Sequence, residues 1–372
     1  MKNRARVCHL SSVHSAFSGR IFQKECKTLT KAGFKVTFLA QYDRDKGVDG
    51  IQLRALPKPR NRFERMTYLL YKVYQAAINE KAQIYHFHDP ELILVGILLK
   101  LHGKHVIYDV HEDYPNSLLN KGWLHPWFRA VVAKGVALAE RASVNFFDGI
   151  VAATPEIAKR FSASKTVVVQ NFPIQHEWVQ DIAIDYRHRP PIITYVGGIS
   201  VLRGVKEMIL AVGQLPENLG ARLYLAGKFS PAKLEDEIKI LPGWERVDFM
   251  GYLSRDSIVA LFEKSRIGLA VLHSIKTFRE SYPIKLFEYM SAGMPVVVSD
   301  FPLWREIVGG AGCGLLVDPL DPKAILEAMR WLLEHPEEAE AMGQRGQEAV
   351  FERYNWNREG EKLLKFYKDI LQ

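Results

Sequence analysis

Short β-branched and aliphatic runs alternate with longer amphipathic segments along almost the whole chain, and the alternation breaks only once. ARVCHLSS, FKVTFLA, AQIYHFH and KHVIYDV read as buried strands, each followed by a helical pattern. Such a rhythm calls for β-α-β crossovers and a parallel sheet with helices on both faces. It fails at 174–190, IQHEWVQDIAIDYRHRP, which is polar, lacks clean periodicity and runs into Pro190-Pro191. It restarts with PIITYVGG, ARLYLAG, RVDFMG, RIGLAVL, PVVVSD and CGLLVD. At 372 residues the chain exceeds one ordinary core, because domains run to about 150 residues. The expected fold is therefore α/β, with Rossmann-like domains at 1–175 and 191–352 facing each other across a cleft and a linker at 176–190. The last helix, 353–372, has Trp356, Leu363, Leu364, Phe366, Tyr367 and Ile370 as apolar anchors and is expected to pack back on the first domain. Ligands of open parallel sheets sit beyond the strands' carboxyl ends, so the chemistry is expected just after the strands.

Composition narrows the class. At 48% hydrophobic and 25% charged residues, the chain is globular rather than disordered. Its longest unbroken apolar run is Leu92 to Leu99, against the ~20 residues of a membrane span. MKNRARVCHL opens no apolar stretch of signal-peptide length. Cys8, Cys26 and Cys313 form no C-x-x-C, so neither a disulfide framework nor a cysteine zinc site is expected, and a reducing cytoplasm is the expected compartment. Charge is uneven. Residues 1–175 hold 26 Lys+Arg and 14 Asp+Glu, giving +12, and the rest hold 24 and 28, giving −4, for +8 in all. The basic first half points to an anionic surface.

Three constellations follow strands. In ESYPIKLFEYMSAGMPVVVSD, Glu280 to Asp300, Pro283 suits a first helical position because it needs no N–H there, and Gly293 with Pro295 ends the helix after Ala292. The free N–H groups from Ile284 to Phe287, Leu286 among them, offer a phosphate site. Lys285 adds a full charge, and Glu288, one turn on, can accept from a pair of ribose hydroxyls. Glu280 lies in the preceding loop, where a sugar beyond the phosphates would sit. The competing reading is a capped surface helix with two solvated glutamates. In YVGGISVLRG, Tyr195 to Gly204, the glycines Gly197 and Gly198 let backbone approach a ligand, and Arg203 can hold a phosphate bidentately. There is no P-loop and no G-x-G-x-x-G after the first strand, which speaks against nicotinamide or flavin binding. In YDVHEDYP, Tyr108 to Pro115, His111 stands at a strand's carboxyl end beside Asp109, Glu112 and Asp113. His86, His88 and Asp89 end another strand, but spacing fixes no third ligand and no metal site is expected.

These segments resemble the family 4 glycosyltransferases of the GT-B fold over essentially the whole chain. The resemblance is most specific in the second half: Glu280 and Glu288 give E-x7-E inside PIKLFEYMSAGMPVVVSD, with G-Y-L at Gly251 to Leu253 and G-L-L-V-D-P at Gly314 to Pro319. RIFQKE after Gly19, GFKVT, HFHDPEL and YDVHEDYP fit in the first half. The resemblance implies retaining transfer of a sugar from a nucleotide diphosphate donor, a UDP-sugar by preference, held mostly by the second domain. It implies that Glu288 takes the ribose and that Gly227, Lys228, Gly251 and Tyr252 border the base. Arg203 would neutralise the leaving diphosphate, His111 and Glu280 would meet the donor sugar, and Gly19 and Arg20 would lie on the acceptor side. No metal or other cofactor is implied. In two places the sequence departs from the common pattern: Gly198 stands where the family often has an Arg on the diphosphate, and Ser18 where an acidic residue is usual.

The expected activity is transfer to a lipid-linked or polysaccharide acceptor in cell-surface glycan synthesis, at the inner face of the membrane. An epimerase or phosphorylase on the same fold, or a non-catalytic membrane-associated subunit, are the alternatives. Nucleic acid is not an expected partner. Membrane contact is expected at Lys58, Arg60, Arg62 and Arg65, with Phe63, Met66, Leu70, Tyr74 and Ala77 sharing one helical face.

Overall fold

A computed structural model describes residues 4–112, 114, 126–174, 178 and 185–372. They fall into two compact units, Met1–Asn171 with Trp356–Gln372, and Phe172–Asn355.

The first unit holds an eight-stranded sheet in the order β3-β4-β2-β1-β5-β6-β7-β8. The strands are β1 (Arg6–Ser15), β2 (Lys35–Gln41), β3 (Lys46–Val48), β4 (Ile51–Leu56), β5 (Ile84–Phe87), β6 (His105–Val110), β7 (Gly149–Ala152) and β8 (Thr166–Val168). Among the described residues of this sheet, only the β3–β4 hairpin is antiparallel. This hairpin breaks the expected strand–helix rhythm after β2. β1 is central, flanked by β2 and β5, so their carboxyl ends open side by side.

The second unit holds six parallel strands in the order β11-β10-β9-β12-β13-β14: β9 (Ile192–Val196), β10 (Arg222–Ala226), β11 (Val247–Gly251), β12 (Ser265–Ala270), β13 (Val296–Ser299) and β14 (Gly314–Val317). All six were expected from sequence. Alternation along a strand sends neighbours to opposite faces. Ile193 and Tyr195 join one buried layer, while Ile192 and Val196 join the other. Burial on both faces is why these strands read as continuous aliphatic runs.

Four helices matter below: α1 (Leu70–Glu80), α2 (Val205–Gly213), α3 (Ile284–Ser291) and α4 (Trp356–Leu371). α4 belongs to the first unit. Trp356 Nε1 donates to Thr28 Oγ1 at 2.8 Å, Glu359 accepts from the Gln170 N–H at 2.8 Å, and Leu363 and Tyr367 are fully buried. A side chain at Gly149 on β7 would overlap the Phe366 ring, so that glycine lets α4 close on the sheet.

Two expectations need correction. The segment 176–190 is not a free linker throughout, because Trp178 and Tyr186 are buried in the second unit, Trp178 against Phe262; residues 175–177 and 179–184 lie outside the described set. The apolar stripe of 62–80 also differs. Leu69, Val73 and Ala77, spaced by four, face the core, while Phe63 is 78% exposed and Met66 49%. Leu70 and Tyr74 are only partly buried.

Candidate active site

In the second unit the carboxyl ends of β9, β10 and β11 are stitched together by their glycines. Gly197 N–H donates to Ala226 O at 2.9 Å, and Gly227 N–H donates to Gly251 O at 2.8 Å. A Cβ at Gly227 would overlap the Gly197 carbonyl. Gly251 has φ +63°, in the left-handed region. Lys228 Nζ lies 5.0 Å from the Tyr252 ring centroid, and Tyr252 is 77% exposed. Gly227, Lys228, Gly251 and Tyr252, expected to border the base, thus meet Gly197 at one sheet end.

Arg203 closes the turn Val201–Arg203 that leads into α2. Its Nη1 lies 3.6 Å from where a Cβ would stand on Gly197, and its Nε 3.9 Å from the same point on Gly198. The guanidinium therefore covers the glycine turn. Tyr195 Oη donates to the Gly198 carbonyl at 2.8 Å and fixes that turn from beneath. A Cβ at position 198 would stand at ordinary contact distance from Arg203, so the Arg203 guanidinium borders the place where the family often has its Arg. Gly204, at φ +73°, packs so closely on Val271 O that a side chain would overlap it. This loop sets Arg203 beside the end of β12. His273, just past β12, lies 3.2 Å from Glu207 on α2 and donates its N–H to Leu202 O at 2.9 Å. His273 was not singled out from sequence, although its place directly after a strand was the available signal.

Helix α3 begins after Pro283 and lies against β9, where Tyr289 Oη accepts from the Val196 N–H at 2.9 Å. Leu286 is buried and fixes the helix. Lys285 and Glu288 form an ion pair at 2.6 Å, with Glu288 only 7% exposed. The Lys285 charge expected to be free for phosphate is therefore matched by Glu288. Glu280 ends the short helix Lys276–Arg279 and is exposed.

In the first unit five imidazoles gather at the carboxyl ends of β1, β5 and β6. His111 is 14% exposed, with Nε2 3.2 Å from His88 Nδ1 and 3.6 Å from Asp109 Oδ2. Burial holds His111 well below the usual histidine range despite the pull of Asp109. The His14 ring packs edge-on at 5.3 Å. Arg20 corrects an expectation. It is 8% exposed, pairs with Asp109 through Nε and Nη2 at 3.2 and 3.1 Å, and donates to Val169 O at 2.9 Å. It orders the floor beneath His111 rather than facing an acceptor, whereas the adjacent Gly19 is exposed in open space. Burial resists ionisation of Asp109, but Arg20 and His111 outweigh it and hold the carboxyl well below its usual range. Burial and the charge of Asp109 push Glu25 the other way.

At the expected membrane segment, Lys58, Arg60 and Arg62 are exposed, but Arg65 pairs with Glu91 at 3.0 Å and is half-buried. No helix among the described residues is long and apolar enough to cross a membrane.

Two parallel-sheet α/β units with glycine turns at the strand ends define the GT-B class of architecture. Sucrose-phosphate synthase from Thermosynechococcus elongatus superposes with TM-score 0.78 at 16% identity over 99% of both chains. Anabaena HepE in complex with UDP-glucose gives 0.73 at 14% identity over 98% of this chain and 99% of that one. Residues 19–172 match Glycosyltransferase Family 4, and residues 178–349 match Glycosyl transferases group 1. The chain belongs to this family, the family 4, group 1 glycosyltransferases. D-rhamnosyltransferase WbpZ of Pseudomonas aeruginosa is 24% identical over 70% of this chain and 66% of its own length. The chain spans about half to two thirds of the length of the first curated relatives it matches.

Proposed function

We propose that the protein is a retaining glycosyltransferase that moves a sugar from a UDP-sugar to a lipid-linked or polysaccharide acceptor in cell-envelope glycan synthesis. The observation that carries this reading is the Arg203 guanidinium lying over the Gly197–Gly198 turn, in a chain whose family transfers sugars. The choice of UDP follows HepE with UDP-glucose and a trehalose-6-phosphate enzyme bound with UDP-2-fluoro glucose.

In this mechanism the uracil lies against the Gly227–Lys228 and Gly251–Tyr252 turns, and the ribose hydroxyls donate to Glu288. Binding the ribose draws Glu288 away from Lys285, whose ammonium then joins Arg203 and the first N–H groups of α3 on the diphosphate. Positive charge aimed in advance at the leaving group lowers the barrier as that group's charge grows. The β-phosphate oxygen accepts the acceptor's proton as the new bond forms on the same face, and no side chain becomes glycosylated. Glu280 hydrogen-bonds to hydroxyls of the donor sugar. These cations and N–H dipoles meet the diphosphate without a divalent ion. The acceptor is brought by adsorption to anionic lipid through Lys58, Arg60 and Arg62, with exposed Phe63 and Met66 entering the interface.

A thermal-shift panel of UDP, GDP, ADP and dTDP tests the donor. UDP at a hundred times its dissociation constant adds about 2.7 kcal/mol of stability. If none of the four raises the melting temperature, the nucleotide site is wrongly assigned; a rise with another base alone keeps the site and replaces the donor.

A further inference from the structure

The histidine cluster beneath His111 contains a polar set that the transfer mechanism does not use. His9 on β1, His86 on β5, His88 just after β5, and Glu25 in the helical stretch Ile21–Cys26 are all fully buried. His9 Nδ1 and His88 Nε2 are 2.9 Å apart, and each lies 3.8 Å from Glu25 Oε2. His86 Nδ1 is 4.0 Å from the same oxygen. One ligand atom from each of the four residues fits within 4.8 Å of the other three. A tetrahedral ion with bonds of about 2.0–2.1 Å separates its ligands by roughly 3.3 Å, so shifts of up to about three-quarters of an ångström per atom would bring these atoms into coordination.

A network of hydrogen bonds alone does not satisfy the cluster. Glu25 Oε2, the atom that the three imidazoles face, is buried without a hydrogen-bond partner, and an unmet buried acceptor is costly. The outer contacts are those that orient metal ligands. With His88 bound through Nε2, its Nδ1–H donates to Asp109 Oδ2 at 3.1 Å. Glu25 Oε1 is held by Arg20 Nε at 3.0 Å. With His9 bound through Nδ1, its Nε2–H points to Tyr367 Oη at 3.4 Å. Tyr367 Oη also lies 2.7 Å from His86 Nδ1; coordination through that nitrogen replaces this contact and leaves Tyr367 Oη to accept from His9 Nε2–H.

We propose that His9, Glu25, His86 and His88 bind one structural divalent transition-metal ion, zinc by preference. Three imidazoles and a carboxylate suit a borderline metal over magnesium or calcium, and a closed, fully buried set of four suits zinc in a structural role. The ion clasps β1, β5 and the stretch Ile21–Cys26, and through Tyr367 it supports the docking of α4. This inference is independent of the sugar-transfer reading, since the diphosphate site belongs to the other unit.

Protein purified without a histidine tag from zinc-supplemented culture is analysed by inductively coupled plasma mass spectrometry. About one equivalent of zinc, or of another first-row divalent metal, is expected per chain. Wild type unfolded with chelator is also refolded with and without added zinc or cobalt. The melting temperature rises with either metal, and cobalt gives the visible d–d bands of a tetrahedral nitrogen–oxygen site. Glu25→Gln and His9→Asn lose the metal, and His111→Ala keeps it. No first-row metal in the wild type, together with identical melts with and without added metal, overturns the proposal. Metal retained by Glu25→Gln but lost from His111→Ala overturns it equally, placing the ion at His88, Asp109 and His111 instead. Should the Glu25 or His9 variants fail to fold, metal content and cobalt spectrum of the wild type decide.

Discussion

Glu288→Ala separates the two tasks of the Lys285–Glu288 pair. The carboxylate is 7% exposed and 2.6 Å from Lys285. Hydrogen bonds from ribose hydroxyls to a charged acceptor contribute roughly 1.5–3 kcal/mol, so UDP affinity falls about 10–100-fold. The freed Lys285 ammonium partly offsets this for a diphosphate but not for a nucleoside, so uridine loses more affinity than UDP. In Glu288→Ala/Lys285→Ala that offset disappears and UDP weakens further. Stability changes little. The Lys285 side chain is 31% exposed and remains solvated, and such pairs contribute about 0–1 kcal/mol. Titration calorimetry with UDP and uridine on wild type and both variants is the assay. Unchanged UDP affinity in Glu288→Ala, with an unchanged melt, refutes the ribose role. Equal losses for uridine and UDP refute the coupling to Lys285.

Three further outcomes are expected. Arg203→Ala lowers kcat by about 100-fold or more while UDP affinity falls less, because its charge matters most as the diphosphate leaves; steady-state kinetics beside calorimetry show whether binding instead falls as far as kcat. Arg20→Ala leaves Asp109 buried without its bidentate partner, which costs about 3–5 kcal/mol, and denaturant melts detect it; a loss under 1 kcal/mol would return Arg20 to an acceptor role. Exchanging Lys58, Arg60 and Arg62 for Ser, with Phe63→Ser, abolishes co-sedimentation with acidic liposomes, and wild-type binding weakens steeply with salt; equal sedimentation of both proteins rules out this surface.

Much of the fold is legible because buried parallel strands need apolar residues on both faces, as ITYV in β9 and VVVS in β13 show. β4 escaped because IQLRAL exposes Gln52 and breaks the aliphatic run. β7, GIVA, sets only two β-branched residues between Gly149 and Ala152, and β8 has three residues, none of them fully buried, so neither stands out as a run. At the site, residues read from a strand end or helix start, such as Gly197, Gly227 and Glu288, came out together because secondary structure alone positions them. Arg20 was misread because its partner Asp109 is 89 residues away, and only the sheet brings them into contact. His9 and Glu25 lay outside the expected site for the same reason. The expected line Phe63, Met66, Leu70, Tyr74 and Ala77 joins exposed and buried residues, because the buried line of 62–80 runs through Leu69, Val73 and Ala77.

Metal-independent retaining transfer is tested by following UDP-glucose by proton and phosphorus NMR with the protein, excess EDTA and no added divalent cation, using slow transfer to water before an acceptor is supplied. Protein-dependent release of UDP is expected, with the α-anomer of glucose appearing first and Arg203→Ala nearly silent. A buried structural ion would not alter this outcome, since the chelator meets only the folded protein. First appearance of the β-anomer, or UDP release that occurs only when magnesium or manganese is restored, would contradict the proposed chemistry.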